Sequence, residues 1–128
     1  MKKTQKISIN SDDEILILGI VAYEKIHKVS WALNETLDIN LKINENETSE
    51  TFECFEEHNF KLISNKVNTN FFVKEIKNID FIFKIIGENL SSEKIEIIKK
   101  LKSINFIIAV FEIDIEKYKK SKKMFLEF

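Results

Sequence analysis

The chain has no proline, no arginine, one cysteine and two glycines in 128 residues. Each shortage excludes something. Two isolated glycines cannot build a glycine-rich phosphate loop. A single cysteine, Cys54, forbids an internal disulfide and any metal site made of several thiolates within one chain. With no arginine, the twenty basic residues are all lysines, and lysine cannot make the planar two-point grip by which arginine holds carboxylate or phosphate. The longest apolar run, residues 15–22, is far short of the roughly 20 residues needed to span a bilayer. Formal net charge is −1, so no overall field recruits nucleic acid or an anionic membrane. A zinc-ligand spacing, a nucleophile elbow and internal repeats are also missing.

What is present describes one soluble globular domain spanning 1–128. Apolar residues make up 44% and charged residues 32%, the balance of a folding chain, and a division would leave two pieces too small to bury a core. Lysine, isoleucine, asparagine and phenylalanine dominate, which reads as codon bias in an AT-rich genome. Lys2 and Lys3 are cut off from the apolar run by Ser11, Asp12, Asp13 and Glu14, so no signal peptide is expected and the location expected is cytoplasmic.

Residues 73–86 (VKEIKNIDFIFKII) organise the rest. Residues 73–78 form an amphipathic lead-in. Residues 79–86 then alternate one face of Ile79, Phe81, Phe83 and Ile85 with another of Asp80, Ile82, Lys84 and Ile86. Period two marks a strand, and two apolar-rich faces mark one covered on both sides. The β-branched run EILILGIVA, Glu14–Ala22, predicts a second buried strand. Residues 1–13 read as an edge strand or a loose arm, with Ile7 and Ile9 alternating. Ala22, Ile26, Val29, Leu33 and Leu37 predict a helix ending near Asp38. Ile39, Leu41 and Ile43 predict a half-buried strand, residues 44–51 a polar loop, and residues 51–57 and 60–66 two strands joined through His58 and Asn59. Residues 67–70 form a polar connection. A second helix should start at Ser91 or Ser92, capped by a hydroxyl, with Leu90 and Ile95 as a staple and Ile95, Ile98 and Leu101 facing inward. Residues 106–111 are a further strand. The tail, 117–128, ends so apolar that it should pack on the body, as a short terminal strand or otherwise.

This order predicts an α+β fold, a mostly antiparallel sheet with two helices on one face. A ferredoxin-like βαββαβ core with a hairpin inserted before its third strand is the expected topology.

Val73-Lys74-Glu75, three spacers and Ile79-Asp80-Phe81 resemble the motif of the bacterial IPExxxVDY family. Glu75 and Asp80 match outright; Val73, Ile79 and Phe81 are conservative replacements. Lys74 departs by replacing proline and so removes a rigid turn element. The LISNK stretch at residues 62–66, the Ser30-Trp31-Ala32-Leu33-Asn34 run and the short apolar C-terminus are similar too. The resemblance implies a small bacterial protein and transfers no catalytic residues.

Three surfaces are candidates. Tyr23, His27, Trp31 and Asn34 form a stripe about a third of a turn from the first helix's core stripe, a composition suited to a protein interface. It competes with a packing role for Trp31. Lys117, Lys119, Lys120, Lys122 and Lys123, with Tyr118 and Phe125, could contact RNA phosphates and stack a base, against the ordinary reading of a solvated charged face. Glu75 and Asp80 could serve acid/base chemistry or hold Mg²⁺; the structural alternative has Asp80 or Asn78 satisfying turn amides and Glu75 pairing with a lysine such as Lys84. His27 reads as a solvated helix residue and Cys54 as core, a Cys54/His58 pair having no third group to orient it. The function expected is therefore a non-enzymatic protein-binding or assembly module, acting on an unidentified protein or as a homodimer. It would use the helix flank or an unpaired sheet edge, with no cofactor and no metal. The alternatives are an RNA-associated accessory factor and, more weakly, a small enzyme.

Overall fold

The structure is a computed structural model that describes residues 13–45 and 52–128. All but the last residue of the arm expected at 1–13, and most of the loop at 44–51, lie outside these residues. The fold is α+β: a six-stranded sheet with every ladder antiparallel, two helices on one face, and a short third helix.

The chain runs β1 (Glu14–Ala22), α1 (Ile26–Leu37), β2 (Lys42–Ile43), β3 (Cys54–Glu57), β4 (Phe60–Ser64), β5 (Lys66–Val67), β6 (Asn70–Phe71), β7 (Phe81–Gly87), α2 (Leu90–Lys102), β8 (Ile107–Glu112) and α3 (Lys122–Glu127). Single 3₁₀ turns occupy Lys74–Ile76 and Ile115–Lys117. The sheet order is β2-β3-β4-β7-β1-β8, while β5 and β6 form a separate small hairpin.

The strand expected within residues 73–86 does lie at the centre. β7 pairs with β1 on one side and β4 on the other, and residues Phe81 to Ile85 are all buried. Phe81, Phe83 and Ile85 join Leu16, Leu18 and Ile20 of β1 beneath Ile26, Val29 and Leu33 of α1 and Leu90 and Leu101 of α2. On the reverse face Ile82 and Ile17 pack with Val73, Ile76, Ile113, Phe125 and Phe128. Full burial of one such side chain contributes about 1.5–3 kcal/mol, so both layers are needed to hold the sheet. Ile79 departs from the expected pattern. It precedes the strand and packs on the reverse face, because the backbone is still in the turn after the 3₁₀ segment when it passes this residue.

Several boundaries differ for local reasons. α1 begins at Ile26, since residues 23 and 24 form a bend, and it ends where Asp38 takes a left-handed conformation (φ 56°). Aspartate tolerates that region better than most side chains. The strand expected from Ile39 to Ile43 shrinks to β2, because Leu41 is held by the end of α1. The tight link between β3 and β4 is as expected, with His58 at φ 47°. The polar connection at 67–70 is the turn of the β5–β6 hairpin, with Asn68 at φ 57°. At α2 the helix starts at Leu90, and neither serine caps it through its own hydroxyl. Glu14 of β1 supplies the cap instead, accepting from the Ser91 amide at 2.9 Å and from the Ser91 hydroxyl. Ile95 is 75% exposed, so the expected staple with Leu90 does not form. The tail packs on the body through Phe125 and Phe128, as a helix and not a strand.

Candidate functional site

The motif residues come together as a structural clamp. Asn65, fully buried where β4 ends, is its hub. Its Nδ2 donates to the carbonyls of Ile76 (3.0 Å) and Ile79 (2.9 Å), and its Oδ1 accepts from the Val73 amide (2.7 Å). One side chain thus satisfies three main-chain groups of the lead-in, which a short non-helical segment cannot satisfy internally. The sequence signal was the LISNK stretch, but nothing in it says that its asparagine points inward.

Asp80 continues the β1–β7 ladder beyond its last backbone pair, Ile20 with Phe81. Its amide donates to the Ile20 carbonyl and its carboxylate accepts from the Ala22 amide, both at 3.0 Å. The β1–β8 register shifts between Val21 and Ala22, so the carboxylate secures β1 where its pairing is irregular. Glu75 accepts from the Ser121 hydroxyl at 2.5 Å, just ahead of α3. Lys84, buried on the reverse face of β7, donates to the carbonyls of Leu126 (2.8 Å) and Phe128 (2.9 Å), with its Nζ 5.1 Å from the Phe128 ring. A cation at the carbonyl end of a helix is favourably placed. Glu75 and Lys84 therefore hold α3 at its two ends rather than pairing with each other. Among the described residues no group of three His, Cys, Asp or Glu side chains could hold a metal ion.

The α1 stripe is only partly brought together. Tyr23 is fully in the bend before the helix and highly exposed, and Trp31 is 60% exposed. His27 meets the Phe55 ring edge-on at 5.2 Å and has Glu53 at 3.9 Å. Asn34 turns to the main chain of Leu41, donating to its carbonyl (3.2 Å) and accepting from its amide (2.7 Å). That two-point contact fixes the α1–β2 connection and takes Asn34 out of any interface.

In the lysine patch, Lys122 pairs with Glu116 at 2.8 Å and Lys123 lies 4.0 Å from Glu127. Lys117, Lys119 and Lys120 are exposed. Phe125 is fully buried and offers no face to a base, and Tyr118, half-buried, meets it edge-on with ring centroids 6.3 Å apart.

A feature that residue patterning did not single out is the outer edge of β8. Among the described residues this strand, IIAVFE, pairs only with β1. Ile108, displaced by the register shift, is 58% exposed and Phe111 is 48% exposed. The opposite edge of the sheet is β2, two residues long and carrying Lys42.

No protein-family model matches the chain, and no curated protein matches it significantly.

Proposed function

We propose that this chain is a non-enzymatic assembly module that pairs with a second copy of itself through β8. The observation that carries the reading is the contrast between the two sheet edges. An exposed edge strand presents unpaired main-chain groups, and natural proteins blunt such edges with shortness, lysine or proline. β2 is blunted in this way. β8 runs six residues with charge only at Glu112 and leaves Ile108 and Phe111 exposed. Antiparallel pairing of two β8 strands about a two-fold axis would satisfy both edges and bury both aromatic side chains.

The engaged state of Glu75 and Asp80 supports a structural role for the motif and favours this reading over a small enzyme. The burial of Phe125 and the carboxylates beside Lys122 and Lys123 favour it over an RNA-associated factor. Resemblance to the IPExxxVDY family and a cytoplasmic bacterial setting belong to the same proposal. So does a ferredoxin-like core, supported by the inner order β4-β7-β1-β8 and by the β5–β6 hairpin ahead of β7.

Light scattering coupled to size-exclusion chromatography tests the reading. A dimer is expected for the parent chain, and a folded monomer with native-like circular dichroism for Phe111→Lys. A parent chain that stays monomeric at high micromolar concentration overturns it. Trp31 emission on dilution locates the contact, since a shift would move it from β8 to the α1 flank.

A further inference from the structure

The N-terminal end of α1 is open. Its first turn has no acidic residue, Lys25 at the cap position makes no side-chain cap, and the amides of Ile26 and His27 donate to no described residue. Such amides are ordinarily taken by a cap, water or a ligand. This end of the helix opens into a depression of about 440 Å³ that also reaches Ser64.

Ser64 is the second and independent observation. It is only 6% exposed, alternates on β4 with Leu62 and so faces α1, and its hydroxyl has no hydrogen-bond partner among the described residues. A buried hydroxyl normally has one, so an orphan calls for an explanation. The remaining lining supplies charge and apolar surface. Lys25 and Lys66 are exposed cations, while Val67 and Phe81 are apolar. Two carboxylates also border the depression, and each already faces a basic group: Glu24 lies 3.2 Å from Lys28, and Glu53 lies 3.9 Å from His27 Nε2.

We propose that this depression binds a small oxyanion, a carboxylate or phosphate carried on an apolar body. The donors are the Ile26 and His27 amides and the Ser64 hydroxyl. Lys25 and Lys66 hold the charge at the rim, and the apolar body lies on Val67 and Phe81. Helix N-termini favour anions through their free amides and the helix dipole. The fold already shows this donor combination at work on a carboxylate, since at α2 the amide and hydroxyl of Ser91 hold Glu14. The site is separate from the β8 edge and does not depend on self-association.

The test is amide NMR of the full ¹⁵N-labelled chain, titrated at constant ionic strength with inorganic phosphate and, separately, with benzoate. Saturable shifts confined to Ile26, His27 and Ser64 are expected with at least one probe. Tighter binding of phosphate identifies a phosphate ligand, and tighter binding of benzoate a carboxylate on an apolar body. Ser64→Ala should weaken the preferred probe at least fivefold, and Lys66→Gln, whose side chain is exposed, by a smaller factor. Shifts that spread over surface lysines without saturating, or affinity unchanged in both variants, would overturn the proposal.

Discussion

Replacing Asn65 by alanine probes the clamp directly. The change removes three hydrogen bonds from fully or nearly fully buried groups. They are not equivalent. The Ile76 carbonyl keeps a second partner, the Ile79 amide at 3.0 Å. The Val73 amide and the Ile79 carbonyl are left with none among the described residues. Each buried group so abandoned costs about 1–3 kcal/mol, and the small void adds to this, giving about 3–5 kcal/mol in all. Against a typical total stability of about 5–15 kcal/mol, that is a large share. The assay is urea unfolding followed by far-ultraviolet circular dichroism, because Trp31 is mostly exposed and reports poorly on the core. The midpoint should fall with little change in the slope, which reports exposed area. Asn65→Asp should be at least as damaging, since it keeps the acceptor for Val73 but aims a carboxylate oxygen at two carbonyls. The neighbouring Ser64→Ala should leave stability unchanged or raise it, because that hydroxyl has no partner among the described residues to lose. A cost below about 1 kcal/mol for Asn65→Ala would refute the clamp.

Gly19→Ala should destabilise by about 1–3 kcal/mol through overpacking. Its Cβ would lie 2.8 Å from Ile79 Cδ1 and 3.1 Å from Ile113 Cδ1, so a double-mutant cycle with Ile79→Val should recover part of the loss, and strict additivity would contradict this. Glu14 titrates below its usual value of 4.5, chiefly because the Ser91 hydroxyl and then the Ser91 amide donate to its carboxylate. A depressed folded value means that the stabilisation is present above 4.5 and is lost as pH falls through the lower folded value. Glu14→Gln should therefore be less stable than the parent chain at neutral pH and approach it in acid; a stability gap that does not narrow on acidification would contradict the linkage.

Periodicity is a property of neighbours along the chain, so the sequence alone determined where the main elements lie. The β-branched run placed β1 at Glu14–Ala22, the apolar stripe placed α1, and two apolar-rich faces marked β7 as a strand covered on both sides. From these the α+β layering followed, as did the packing of the apolar tail. The destinations of the polar side chains were decided only in the folded chain. Lys84 looked like a partner for Glu75, yet its carbonyl acceptors lie 42 and 44 residues away and Glu75 takes Ser121 instead. Asn34 matched an interface stripe by angle but is spent on Leu41. Ser91 had the chemistry of a cap, and Glu14, 77 residues distant, performs it. A hydrogen-bonding group commits to whatever partner the returning chain brings within about 3 Å, and burial makes that choice costly to reverse. That is why the motif of residues 73–81, with two carboxylates and a lysine nearby, is a clamp for its own fold, and why the open end of α1 and the bare edge of β8 became visible only once the chain was folded.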